Sequence, residues 1–485
     1  MESQNREATN KNDTQSEIER IRDMKKASRL TCVLLAGAMA VSMIGCGKSS
    51  DDSKDDASKS AGANTESAYV GASTAFDGDI TGKITVLTNR TDLVDTDLKR
   101  YAEVFEQKYP GTEVEYLPME DYESDTSILF TVGEIGDLCL IPASIAPSEF
   151  KTYFEPLGTD DSLADDYMQE ALVADTYDGI VYGLPSGCNV SGIAYNKRVF
   201  HDAGIEELPQ TEEDFIKALQ QIKENTDAIP YYTNYHDTWA LGQWQAYVSG
   251  VSGDSDYINN EMCNEKDPFS EGKPSYKVYK LLYDIVEQGL CESDPATSNW
   301  EQSKEMINEG KIACMAVGSW AVSQFKAAGS NANDIGYMPF PVTSDDGTLY
   351  QSLSTDYAYA IPTSAKNKPT ARAFMDFLIN ESDYADTQGM ISIVRDSAYP
   401  DFLKNFESID LIANNAASVD NKGKWTNINK ASELDLDKGS QYQVDLIDTA
   451  LGQSHRGHKS LNDVMGEWNK KWADGIYEAE TASGK

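Results

Sequence analysis

The sequence predicts an α/β protein of two lobes. Strand and helix patterns alternate from the start of the folded body, Pro and Gly signals separate them, and the body is too long for one core. Ile84-Thr-Val-Leu-Thr88 has the β-branched, alternating pattern of a strand. Residues 93–109 set Leu98, Tyr101, Ala102, Phe105 and Tyr109 at helical spacing, and Pro110-Gly111 ends the run. Val114-Glu-Tyr-Leu117 reads as a second strand and Asp137 to Ile141 as a third. Strands alternating with a helix argue for parallel βαβ units. From Gly82 to Lys485 the body has roughly 400 residues, more than a single hydrophobic core organises. The C-terminal stretch is helix-rich and ends in Trp468 and Trp472, an i, i+4 pair suited to packing.

The N-terminal segment is a processing signal rather than a fold. Lys25, Lys26 and Arg29 precede an apolar run from Leu30 to Ile44, and Gly45-Cys46 closes it. That order is a secretory signal peptide, and the run falls short of the ~20 apolar residues a spanning helix needs. A cysteine at the cut site resembles a bacterial lipoprotein signal, in which Cys46 would be acylated. Residues 1–45 would then be lost and the protein held on the extracellular face of the cell membrane. Met1 to Asp23 is polar and without periodicity, so Met24 is the expected start. Residues 46–81 are rich in Ser, Asp, Ala, Gly, Lys and Thr, with almost no bulky apolar residue before Tyr69. Such a segment buries too little to offset chain entropy and reads as a flexible tether.

Composition excludes more than it names. The formal net charge is −39, which repels nucleic acid and anionic lipid surfaces. A polycation partner is allowed but not required. Beyond Cys46 stand Cys139, Cys188, Cys263, Cys291 and Cys314, an odd set at irregular spacing and so no disulfide framework. Cys139 and Cys314 lie in apolar strand-like runs, where a thiol behaves as a small hydrophobe. His455 and His458 are three apart with no third ligand nearby, so neither a metal nor a cofactor is expected. No Gly-x-Ser-x-Gly elbow, zinc signature or phosphate loop occurs. A surface glycoside hydrolase, needing two carboxylates about a sugar bond, is the remote alternative.

Three blocks resemble the extracellular solute-binding proteins of ABC importers, in the maltose-binding-protein-like family 1 that binds sugars and oligosaccharides. The first is Gly179-Ile-Val-Tyr-Gly-Leu-Pro185 with Ile193-Ala-Tyr-Asn-Lys197, Phe200, Ala203-Gly204, Pro209 and Thr211. The second is Glu309-Gly-Lys-Ile-Ala-Cys-Met315 with Gly318-Ser319-Trp320. The third is Tyr359-Ala-Ile-Pro362 followed by Lys366 and the amphipathic run Ala371–Leu378. Together they cover most of residues 82–400. Glu212 stands where the family usually has Trp, a departure that touches helix packing. Independently of the resemblance, Thr211 before Glu212, Glu213 and Asp214 is an N-cap with an acidic first turn, and Gly204 is a C′ glycine. Asn196 and Lys197 read as structural.

The resemblance implies a two-lobed periplasmic-binding-protein-like fold of type II, with parallel-rich sheets and several crossing segments. It puts crossings near 187–192, 352–356 and 394–400. Lobe one would be 82–188 with 355–395, and lobe two 189–354 with 396–485. The implied protein is no enzyme. It is a monomeric receptor that hands a carbohydrate ligand to ABC permease subunits in the membrane. Adjacent Tyr231-Tyr232 keep an iron-binding relative open, the acidic groups keep a polyamine or peptide ligand open, and a sugar-sensor role shares the fold.

Ligands of α/β lobes sit at the carboxyl ends of strands, in the crevice between lobes. Sugars need aromatic platforms for their C–H faces and planar polar groups for their hydroxyls. Trp320, after Ser319, matches the family's sugar-stacking aromatic. Trp239 and Trp244 belong to the aromatic and polar stretch that begins at Tyr231. Asn89 and Arg90 follow the first strand, where Thr91 or Asp92 would cap the first helix and Arg90 would fork to a ligand. Glu120 and Asp121 follow the second strand. Asp356 and Tyr357 lie on one crossing segment and Arg395 near another.

Overall fold

The computed structural model describes Phe76 and residues 78–482. Cys46, the signal segment and the tether up to residue 75 lie outside the described residues.

The body opens with β1 (Gly82–Thr88), α1 (Asp97–Lys108) and β2 (Thr112–Pro118). β1 and β2 run parallel, Gly82 against Thr112 through Thr88 against Pro118. Helix α1 buries Leu98, Tyr101, Ala102 and Phe105, the stripe that its sequence spacing requires. It begins four residues later than the periodicity suggests, with Thr96 at the N-cap. Neither Thr91 nor Asp92 caps it. Next come α2 (Tyr122–Val132) and β3 (Cys139–Leu140), and Leu138 bridges in parallel to Val86.

A larger sheet follows. Its middle strand, β4 (Cys188–Asn196), is buried at all nine positions. Thr211 then caps α3 (Glu212–Asn225), its hydroxyl accepting from the Asp214 N–H, and β5 (Ile229–Tyr231) leads into α4 (Trp239–Ser252). The chain continues through α5 (Pro274–Glu287), α6 (Trp300–Glu309), β6 (Ile312–Gly318), α7 (Ala321–Ala327), β7 (Ile335–Pro339) and β8 (Gln351–Thr355). β4 pairs antiparallel with β6, β7 and β8. Only β5 on β6, and β8 on β9 (Leu411–Ala413), run parallel in this sheet. The expected parallel-rich arrangement therefore holds at the opening βαβ unit, while the larger sheet is mixed. β10 (Ala358–Ala360) returns to pair with β3, and α8 (Lys368–Asn380) covers the first sheet.

The faces of the larger sheet divide two apolar cores. Cys188, Val190 and Ala194 of β4 point into one core, and Ile193 and Tyr195 into the other. β6 alternates similarly, with Met315 and Val317 in the first and Cys314 and Ala316 in the second. The first core runs on through β1, α1 and α8, where Phe105 meets Phe374 edge to face at 4.9 Å. The second holds Trp468 and Trp472 of α9 (Leu461–Ala482) against Phe269 at 5.4 and 6.0 Å, so that pair packs as its spacing suggests. Helices α1 and α8 thus bury the apolar stripes read from their sequence.

Candidate functional site

The cleft forms where β1 ends, where β4 and β8 run side by side, and where β6 turns into α7. Asn189 pairs with Ser354 and Cys188 with Thr355, and Ile391 bridges to Cys188. Two adjoining pockets of about 220 and 430 Å³ share Trp320, Asp356 and Tyr357. Thr88, Asn89, Arg90, Tyr384 and Gln388 also line the smaller. Asp175, Asn189, Ser191, Gln243 and Thr355 also line the larger. The larger falls within the usual 300–1,000 Å³ of small-molecule sites.

Three tryptophans gather at this cleft, each at the amino end of a helix. Trp239 opens α4, Trp300 opens α6, and Trp320 precedes α7. Their ring centroids lie 5.1 Å (239–300), 5.7 Å (300–320) and 6.0 Å (239–320) apart. Trp239 is 39% exposed although it is large and apolar, whereas Trp300 is buried. An exposed indole and the half-buried Trp320, backed by the buried Trp300, make a firm stacking platform for an apolar face. Gly318 makes room for it: a Cβ there would stand 2.5 Å from the Trp320 Nε1.

A polar chain fixes the floor. The Val190 N–H donates to Ser319 Oγ at 3.1 Å, and Ser319 Oγ donates to Asn189 Oδ1 at 3.3 Å. Asn189 Nδ2 donates to Asp356 Oδ2 at 2.9 Å, and the Tyr357 N–H donates to Asp356 Oδ1 at 2.7 Å. The Tyr357 hydroxyl then donates to Glu123 Oε1 at 3.0 Å, which also accepts from the Ala143 N–H. This network ties the crossing strands to α2 and leaves Asp356 oriented but only partly buried.

The expected residues divide. Asn89, Arg90, Asp356, Tyr357 and Trp320 line the pockets, and Trp239 adjoins Trp320. Arg90 does not reach out freely. Its Nε and Nη2 fork onto Asp92 at 2.9 and 2.7 Å, and this bond foremost holds the Asp92 carboxyl below its ordinary range. Trp244 is 1% exposed and packs on Tyr231, Tyr247 and Phe340, so it is a core residue. Ser319 is fully buried and holds backbone. Arg395 donates to the Ala164 and Tyr167 carbonyls, which anchors its own segment. Glu120 and Asp121 are exposed and line neither pocket, because the chain enters α2 only at Tyr122.

Other groups were not legible. Glu123 lines neither pocket but anchors the Tyr357 hydroxyl, and Trp300 beside Trp320 and the pocket residues Asn189, Asp175, Tyr384 and Gln388 were not expected. The repeated placement of Trp at a helix start is the signal that would have found Trp300. The paired tyrosines have other duties. The Tyr231 hydroxyl is buried and accepts from the Ala316 N–H, and the Tyr232 hydroxyl accepts from the Asn299 N–H. His455 and His458 lie by Asp448, Asp445 and Glu467 near α9, and among the described residues no cluster suited to a metal ion occurs.

Residues 91–385 match the family described as bacterial extracellular solute-binding protein. A mannobiose-bound binding protein of an ABC transporter from Bifidobacterium animalis subsp. lactis is 34% identical, with a TM-score of 0.73 over 82% of this chain and 95% of that one. A manno-oligosaccharide-specific solute-binding protein from the same organism, bound to mannotriose, is 33% identical with the same TM-score and coverage. The diacetylchitobiose-binding protein of Streptomyces coelicolor is 25% identical over 47% of this chain, an alignment spanning about half (52%) of that relative. The multiple sugar-binding protein of Streptococcus mutans is 25% identical over 60% of this chain and 69% of its own length.

Proposed function

The chain belongs to the bacterial extracellular solute-binding protein family, and from that premise we propose that it captures an oligosaccharide in the cleft for delivery to an ABC permease. The tryptophan cluster at Trp239, Trp300 and Trp320 carries this reading. Clustered indoles, tilted or edge-on to one another, offer the C–H faces of a sugar a platform, and planar amides and carboxyls beside them suit its hydroxyls. A manno-oligosaccharide is the first candidate, because the two relatives a third identical to this chain bind mannobiose and mannotriose.

We assign ligand contact to Trp320, Trp239, Asn89, Arg90, Asp356, Tyr357 and Gln388. Trp244, Ser319, Arg395, Glu120 and Asp121 are set aside. We place the lobes at 82–188 with 355–395 and at 189–354 with 396–485. Residues 187–192 and 352–356 serve as a hinge on which the cleft closes about the ligand. A lipid on Cys46 holds the receptor at the outer membrane face, and hydrolysis of the sugar happens elsewhere. The family is one of binding proteins, which supports a receptor over a hydrolase. Iron is disfavoured because both tyrosine hydroxyls are engaged within the fold.

Thermal unfolding of the full chain with mannobiose, mannotriose, ferric ion and spermidine tests this. A shift with mannotriose that Trp320→Ala removes upholds the reading. A shift with ferric ion or spermidine alone overturns the sugar, and hydrolysis products from mannotriose overturn the receptor role.

A further inference from the structure

Asp175 ends a short turn, Val173–Asp175, on the wall of the larger pocket. It is 7% exposed. Its carboxyl has no hydrogen-bond or ion-pair partner among the described residues, and no neighbouring charge acts on it. Ile141 and Ala358 pack nearby. Gly183 lies beneath it, where a Cβ would stand 3.5 Å from the Asp175 Cβ and would clash with Ile141 and Ala358.

The other ionisable groups on this wall are Asp356 and Tyr357. Asp356 is engaged by Asn189 and the Tyr357 N–H, and the Tyr357 hydroxyl is given to Glu123. Neither is spare to satisfy Asp175, and no Lys or Arg lines the pocket. Burying a carboxyl without a partner costs stability, and buried polar groups are otherwise almost always paired. An unpartnered one on a cleft wall is a hydrogen bond reserved for what enters the cleft.

We propose that Asp175 is a ligand-recognising residue whose acid form donates a hydrogen bond to a hydroxyl of an uncharged oligosaccharide, so that capture weakens in alkali. This rests on the sugar reading above. Burial pushes the Asp175 carboxyl up to about 8. Near neutral pH the group is therefore mostly the protonated acid, able both to donate and to accept. A bound hydroxyl accepting its proton favours that form further, so affinity is full below about pH 8 and falls above it. An anionic sugar group in the larger pocket would face the Asp356 carboxylate with no Lys or Arg on that wall, which favours an uncharged sugar there.

The test is calorimetric titration of the full chain with mannotriose between pH 6 and 9. Wild type should lose about tenfold in affinity by pH 9. Asp175→Asn, neutral and of the same shape, should bind within about threefold of wild type at pH 6 and show no alkaline loss. Asp175→Ala should bind at least tenfold more weakly at pH 6. A melting scan controls for folding, and Asp175→Asn should melt no lower than wild type because it buries no latent charge. Equal affinity of Asp175→Ala and wild type overturns the proposal, as does a wild-type pH profile in Asp175→Asn. Loss of binding in Asp175→Asn at pH 6 also overturns it, since the ligand would then require a carboxylate, the mark of a cation. If wild type binds no neutral oligosaccharide at all, the sugar reading itself falls and this proposal with it.

Discussion

At the scale of single residues, the tryptophans separate stacking from packing. Trp320, expected from its match to the family's stacking aromatic, faces two pockets, and Trp244, expected from the aromatic and polar stretch around it, lines neither. Trp320→Ala should weaken mannotriose binding by at least tenfold and leave the melting temperature within a few degrees, because a half-buried platform carries affinity rather than core packing. Trp244→Ala should do the reverse. It empties a site walled by Tyr231, Tyr247 and Phe340 and should cost about 3–5 kcal/mol of stability, measured by chemical denaturation. Any residual folded Trp244→Ala protein should bind ligand as wild type does. Equal loss of affinity in both variants would mean that Trp244 shapes the platform after all. Exposure was the missing information, and no local pattern encodes it. Glu123 makes the same point, since it supports Tyr357 from α2 across 234 residues of chain, a contact that no local pattern announces.

At the scale of elements, local signals were readable and long-range pairings were not. β1, α1 and β2 follow from periodicity and Pro110-Gly111, and the Thr211 cap from its acidic first turn. β4, by contrast, is buried at all nine positions although Asn189, Ser191 and Asn196 are polar, and nothing in its local pattern gives the direction of its neighbours. The antiparallel order of the larger sheet comes from partners more than a hundred residues away. The junction of β6 with α7 offers a test at this scale. Gly318 ends the strand, and its missing Cβ is the space the Trp320 indole occupies. Gly318→Ala should therefore push the indole aside and weaken mannotriose binding about as much as Trp320→Ala. Because only a surface-facing ring has to move, the melting temperature should change little. Unaltered affinity, with unaltered near-ultraviolet dichroism, would show that the ring has another resting place.

At the scale of the whole molecule, length alone implied two lobes, but the cores do not follow that division. The described residues from 78 to 482 form one compact unit, and β4 supplies residues to both apolar cores from its two faces. The first core continues from β1, α1 and α8 through Cys188 and Val190 to Tyr337 and Phe325, across the expected lobe boundary. Separating the lobes would strip a strand that both cores need. Chains of this size often unfold in steps, and a shared central strand opposes that. Differential scanning calorimetry should therefore give one main transition for the folded body, with no early loss of either lobe. Mannotriose should raise that transition as a unit, by about 2.7 kcal/mol of added stability at 100 times its Kd. Two resolved transitions, only one of which moves with ligand, would mean that the cleft belongs to one lobe and that the crossing strands merely tether the other.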